Sequence, residues 1–172
     1  MAEILAQVAR IEGLAMITIR ADLARAGDAL AEATGLAMPD PTGITTDGTR
    51  SLGWMSPDEL ILILPQSEKA QALQLINQAL TGEHALVADM SDARAVFDVT
   101  GPQADDVIAK LAPVDLPHLA PGTLRRSRAA QTAAAFWRIP GGLRVIGFRS
   151  TADYLGLILS EAARPGTGLA PR

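Results

Sequence analysis

Residues 52–67, LGWMSPDELILILPQS, return later in the chain as residues 135–150, AFWRIPGGLRVIGFRS. Trp54, Pro57, Leu60 and Ser67 recur as Trp137, Pro140, Leu143 and Ser150, each 83 positions further on. In both copies an apolar run, a turn containing proline and a second apolar run read as a β-hairpin. The serine after each hairpin opens a helix. The chain reads as two copies of one unit.

The flanking segments extend the repeat. Before the first hairpin, residues 14–20 read as a strand, and residues 22–34 as a helix with Leu23, Ala26, Leu30 and Ala33 on one face, ended by Gly35. Residues 38–50, rich in Pro, Gly, Thr and Asp, read as a loop. Beyond Ser67, Leu73, Ile76 and Leu80 mark the second helix, and residues 85–88 a strand. The pattern then restarts. Residues 96–99 are a strand, and Gly101-Pro102 places proline at the first position of a helix with the stripe Ala104, Val107, Ile108 and Leu111.

Residues 113–123 form a loop with three prolines, followed by one long strand ending at Phe136-Trp137. Within it, residues 129–135 (AAQTAAA) have high helix propensity, yet their repeat equivalent is strand, and strand is the assignment. Residues 143–148 are its partner across Gly141-Gly142. Ser150 and Asp153 form a capping-box pattern before a last helix with Tyr154, Leu155, Ile158, Leu159 and Ala162 facing inward. This order predicts an α+β fold of two tandem ferredoxin-like (strand-helix-strand-strand-helix) units. The repeats run from about 14–90 and 93–163 within a single domain of residues 1–172, with 164–172 a flexible tail.

Composition excludes several kinds of chemistry. The absence of cysteine rules out disulfides, thiolate nucleophiles and cysteine metal sites. Two histidines, His84 and His118, are too few for a histidine-rich metal centre. A net charge of −4 and only 3% aromatic residues argue against a nucleic-acid partner. The longest strongly apolar run, residues 60–64, is far short of the roughly 20 residues that span a membrane. No cationic segment precedes a long apolar run near Met1, so no signal peptide and no membrane association are expected, and the location is expected to be cytoplasmic.

Candidate acid–base residues are few. Asp58-Glu59 falls in a hairpin turn, and Asp105-Asp106 lies in the first turns of a helix, where negative charge suits the dipole. Neither reads as catalytic. The two tryptophans read as paired core positions or as interface anchors. The charge distribution says more. Residues 116–152 hold Arg125, Arg126, Arg128, Arg138, Arg144 and Arg149 and no acid. Such a segment is either a solvated face or an interface for an acidic partner. Alternation along the strand sends Arg126 and Arg128 to one face, which makes them the candidate partner interface.

The stretch 87–111, VADMSDARAVFDVTGPQADDVIAKL, resembles the signature of the folate-binding aminomethyltransferase superfamily, which includes the T-protein of the glycine cleavage system. Asp89, Ser91, Val99, Gly101 and Ala104 occupy the places of that signature. Residues 52–65 and 133–163 narrow the resemblance to the gamma subunit of heterotetrameric sarcosine oxidase. The resemblance implies an accessory, non-catalytic subunit of a complex that demethylates sarcosine to glycine, with hydrogen peroxide and methylenetetrahydrofolate formed. It implies alpha, beta and delta partner subunits. It also implies FAD, FMN, NAD, zinc and tetrahydrofolate on those other subunits, with no cofactor, metal or catalytic residue on this chain. Catalytic members of the superfamily carry an acidic residue on the strand after the long loop. That position falls near Phe136, Trp137 or Arg138, and no Asp or Glu occurs from residue 116 to residue 152. Two other functions stand beside this one: a free-standing folate-binding protein of the superfamily, and a regulatory small-molecule-binding module.

Overall fold

The computed structural model describes residues 4–169. Its contacts divide the chain into two compact units, one spanning Gly13–Asp92 and the other combining the segment up to Glu12 with everything from Ala93 onward.

The Gly13–Asp92 unit is built from strands β2 (Leu14–Arg20), β3 (Ile44–Asp47), β4 (Arg50–Ser56), β5 (Glu59–Pro65) and β6 (Leu86–Asp89), with helices α1 (Leu23–Thr34) and α2 (Lys69–Ala79). The sheet order is β3-β4-β5-β2-β6, every pair antiparallel. Without the edge hairpin strand β3, this is the strand order of a ferredoxin-like unit. Helix α1 starts where Asp22 accepts from the backbone N–H groups of Ala24 and Arg25. It stops at Gly35, left-handed at φ 68°, whose N–H donates to the Ala31 carbonyl.

The second unit repeats this plan with β7 (Arg94–Thr100), α3 (Ala104–Ala109), β8 (Arg125–Ala129), β9 (Thr132–Ile139), β10 (Gly142–Phe148) and α4 (Ala152–Ala162). Its outermost strand is β1 (Gln7–Ile11), and the order is β8-β9-β10-β7-β1. The two orders match element for element. The difference is that β6 follows its unit in sequence, whereas β1 precedes its unit by more than eighty residues.

Period-two alternation sends one set of side chains to the helices. In the Gly13–Asp92 unit, Ala15, Ile17 and Ile19 of β2, Leu52 of β4 and Leu60, Leu62 and Leu64 of β5 meet Ala26, Leu30 and Ile76. In the second unit, Ala95, Phe97 and Val99 of β7, Phe136 of β9 and Leu143 and Val145 of β10 meet Val107, Ile108, Leu155 and Leu159. Each large side chain here contributes about 1.5–3 kcal/mol through burial. The strands are continuous apolar runs because the other face is buried too: Met16, Ile61 and Ile63 in one sheet, Val96 and Ile146 in the other.

Several expectations are corrected. The strand β1 was not read from QVARI, whose five residues are half-buried or exposed. The supposed loop 38–50 contains β3. The single long strand is two, β8 and β9, joined by a tight turn at Ala130-Gln131 with Ala130 at φ 48°. Helix propensity loses in residues 129–135 because Ala129 and Ala134 are buried in the core, and cross-strand pairing with β10 outweighs a few tenths of a kcal/mol per residue. Pro102 lies in the turn before α3, which starts at Ala104. No capping box forms at α4: a 3₁₀ turn, Arg149–Thr151, runs straight into it and Thr151 makes no side-chain cap bond. Tyr154 is exposed, not inward. Within the expected tail, Thr167 Oγ1 donates to the Arg164 carbonyl at 2.7 Å and accepts from Lys110 Nζ at 2.9 Å. Residues 170–172 of that tail lie outside the described residues.

The two tryptophans sit on equivalent strands but on opposite faces. In β4 a bulge leaves Met55 as an extra residue, so Trp54 pairs with Leu60 and packs on the helix-side core. In β9 there is no bulge, so Trp137 pairs with Arg144 and faces away from the helices. Past the bulge, the repeat equivalent of Leu52 is Phe136, one residue out of step with the 83-residue offset.

The start of β10 tests the fit of the second sheet. A Cβ on Gly142 would lie 2.0 Å from the Val99 carbonyl oxygen, whereas one on Gly13 would meet nothing within 4 Å. Gly142→Ala is expected to lose about 3 kcal/mol in chemical denaturation, and Gly13→Ala, at φ 76°, about 1 kcal/mol. Equal losses at both sites would contradict this packing.

Candidate functional site

The aminomethyltransferase-like motif lies across the junction of β6 and β7. Asp89 Oδ1 accepts from the backbone N–H of Ser91 at 3.0 Å and from its hydroxyl at 2.5 Å. Ser91 Oγ accepts from the backbone N–H of Met16 on β2 at 3.1 Å, and Lys69 Nζ at the start of α2 reaches Asp89 at 2.7 Å. These bonds hold the Asp89 carboxyl down to about 2, through Lys69 first and then Ser91. Asp89 and Ser91 therefore fasten β6 and α2 to β2. The second half of the motif is equally structural. Gly101 adopts φ 139°, and a Cβ there would sit 3.0 Å from Ala6 Cα. Val99 and Ala104 are buried beside it in the core.

The candidate acids are engaged in the same way. Asp58 accepts from Arg20 at 2.6 Å and Ser56 at 2.8 Å, and those bonds lower its pKa, the reverse of what a general acid needs. Asp105 takes a bidentate guanidinium from Arg138, whose remaining donors reach the carbonyls of Leu116 and Leu119. At the position where the superfamily resemblance implies an acid, Phe136 is fully buried, Trp137 is buried and Arg138 clamps the preceding loop.

His118 pairs locally with Asp115 at 2.8 Å on the surface. His84 lines an open groove with Arg20, Arg25, Asp58 and Glu83, where Arg20–Asp58 and Arg25–Glu83 ion pairs already match the charges. Among the described residues no group of three or more His, Asp or Glu side chains could hold a metal ion, and no helix is long and apolar enough to cross a membrane.

The arginine-rich segment separates into two kinds of residue. Arg138 and Arg144 find acids outside it, Asp105 and Asp98, the latter bidentate at 2.6 and 2.8 Å. Sequence proximity had hidden those partners. Arg125, Arg126, Arg128 and Arg149 are exposed. Register places Arg126 opposite Ala135 and Arg128 opposite Ala133, so both lie on the face of edge strand β8 away from the helices. The charge asymmetry follows the units: Gly13–Asp92 carries eleven acids against four bases, net −7, and the remainder eleven bases against eight acids, net +3.

Comparison with known proteins is specific. The sequence model of the sarcosine oxidase, gamma subunit family matches residues 19–164. The chain belongs to that family. It is 38% identical over 91 residues to sarcosine oxidase subunit gamma of Corynebacterium sp. (strain P-1), covering 51% of this chain and 43% of the relative. It is 35% identical over 128 residues to the Arthrobacter sp. subunit gamma, covering 71% and 62%. The chain spans about half the length of the curated relatives it matches.

Among solved structures, heterotetrameric sarcosine oxidase from Corynebacterium sp. U-96 shares this gamma-family fold at TM-score 0.87 and 22% identity, over 97% of this chain and 88% of that one. The aminomethyltransferase T of Bartonella henselae matches at TM-score 0.68 and 14% identity, over 90% of this chain and 45% of that one. The gamma-subunit resemblance read from residues 52–65 and 133–163 is thereby shown, and the fold is shared with the aminomethyltransferase.

Because the folded Asp89 carboxyl titrates near 2 against an ordinary value of 3.8, its contribution is present above about pH 4 and lost as the pH falls through 2. Asp89→Asn is expected to cost about 1 kcal/mol at pH 7, after screening of this part-exposed pair. Melting curves of both proteins should converge by pH 2. A gap that persists unchanged at pH 2 would remove the carboxylate from this role.

Proposed function

We propose that this chain is the accessory, non-catalytic gamma subunit of a heterotetrameric sarcosine oxidase, working in the cytoplasm with alpha, beta and delta subunits. In this reading FAD, FMN, NAD, zinc and tetrahydrofolate are held by those other subunits. The carrying observation is the family match over residues 19–164 on a chain in which Asp58, Asp89 and Asp105 are bound into structural clasps. An active transferase is disfavoured because Phe136, Trp137 and Arg138 stand where catalytic relatives place an acid. No observation specifically favours a free-standing folate binder or a regulatory module.

Arg126 and Arg128 are proposed to contact a larger subunit. Both are exposed on a face of β8 that carries no helix, and exposed arginines favour an acidic partner. Reversing both to Glu should weaken co-purification with the larger subunits at low salt, with a smaller difference from wild type at high salt. Undiminished recovery at low salt would make them a solvated face.

The isolated chain is expected to purify colourless and to release no peroxide from sarcosine. The co-expressed four-subunit assembly should be coloured, should release peroxide from sarcosine and should retain this chain on gel filtration. Stoichiometric flavin on the chain alone, or an assembly that forms without it when it is present, would overturn the proposal.

A further inference from the structure

The helix-free face of the second sheet carries an exposed aromatic, whereas the exposed Tyr154 lies on α4. Phe97, Phe136 and Trp137 are buried and Trp54 is half-buried against the core. Phe148, the last residue of β10, is 41% exposed. On one side it pairs across strands with Arg94, whose guanidinium lies 4.5 Å from the ring centroid. On its other side, the step beyond the Ala134–Gly147 pair brings Ala133, which is exposed and too small to cover a ring. Ala133 pairs in turn with Arg128.

One row of the sheet therefore runs Arg128, Ala133, Phe148, Arg94, with Arg126 in the next row and Arg149 adjoining in sequence. Among the described residues no carboxylate forms an ion pair with Arg128 or Arg149.

We infer that Phe148, stacked on Arg94 and flanked by Arg128, is the apolar anchor of a docking surface for an acidic protein segment that sets an apolar side chain beside a carboxylate. This rests on the subunit reading above and deepens it. An aromatic and arginines around a small residue are the composition of an interface hot spot. The cation on one side keeps the ring fixed before binding, so little rotamer freedom is lost when the other side is covered. The exposed Arg128 and Arg149, which no described carboxylate pairs, select an acidic partner. A nucleic-acid strand is the poorer occupant: stacking sites line up successive rings, this face offers one exposed ring, and the chain carries a net charge of −4.

The test titrates the complex of larger subunits, prepared without gamma, with wild-type chain and three variants. Phe148→Ala and Ala133→Glu are each expected to weaken binding at least tenfold. The loss in Phe148→Ala should persist at high salt, and that in Ala133→Glu should shrink. Leu157→Ala, which removes a 72% exposed leucine from α4, should bind as wild type does. Melting temperatures within about 2 °C of wild type will show that the variants are folded. Wild-type affinity in both Phe148→Ala and Ala133→Glu would overturn the anchor and leave the subunit reading intact. Failure of the wild type itself to bind would overturn both. Binding of a labelled single-stranded RNA by the wild type, lost in Phe148→Ala, would overturn the protein partner.

Discussion

The antiparallel pairing of β1 with β7 is the constraint on which the second unit depends. A ferredoxin-like sheet needs a strand beside its first one, and among the described residues no strand after α4 supplies it. Val8 instead pairs with Val99 and packs on the core, closing the edge of β7. The same segment ties down its surroundings: the Leu5 N–H donates to the Ala163 carbonyl at the end of α4, and the Gln103 N–H donates to the Leu5 carbonyl. So close an approach leaves no room for a side chain at Gly101. A glycine that reads in sequence as a turn residue is thus fixed by a segment almost a hundred residues earlier.

The fold class was legible because two hairpins at a fixed offset, each with a helix after it, admit few arrangements. Helix α1 was legible to the residue, since Asp22 and Gly35 end it by local chemistry. What escaped was non-local. The segment QVARI becomes a strand only because β7 offers it an edge, and the offset of 83 slips by one beyond Met55 because a bulge has no signature of its own. That slip reverses the faces of Trp54 and Trp137, so neither of the alternatives weighed for them holds for both.

The candidate site was legible in its residues but not in its use. Asp89, Ser91, Gly101 and Ala104 were found by resemblance to catalytic relatives, yet each is occupied in holding strands and helices together. The arginine segment shows the converse. Counting charges along the chain joined Arg138 and Arg144 to their neighbours, whereas Asp105 and Asp98 reach them from other elements. Arg126 and Arg128 could be placed on one face because that depends on alternation alone. The anchor at Phe148 has no signal in sequence, because the exposure of a strand-end phenylalanine is decided by whichever residue the register sets beside it.

The borrowed strand also orders events during synthesis. A ribosome makes residues 7–11 before residue 94, which follows more than eighty residues later, on the order of four to seventeen seconds at ordinary translation speed. All of Gly13–Asp92 emerges in that interval, so its sheet can close while β1 still has no partner. An exposed strand waiting that long invites wrong pairing, and its make-up limits the hazard: two of its five residues, Gln7 and Arg10, are polar, and the charged Glu12 follows at once. The unit that completes last is therefore the one begun first.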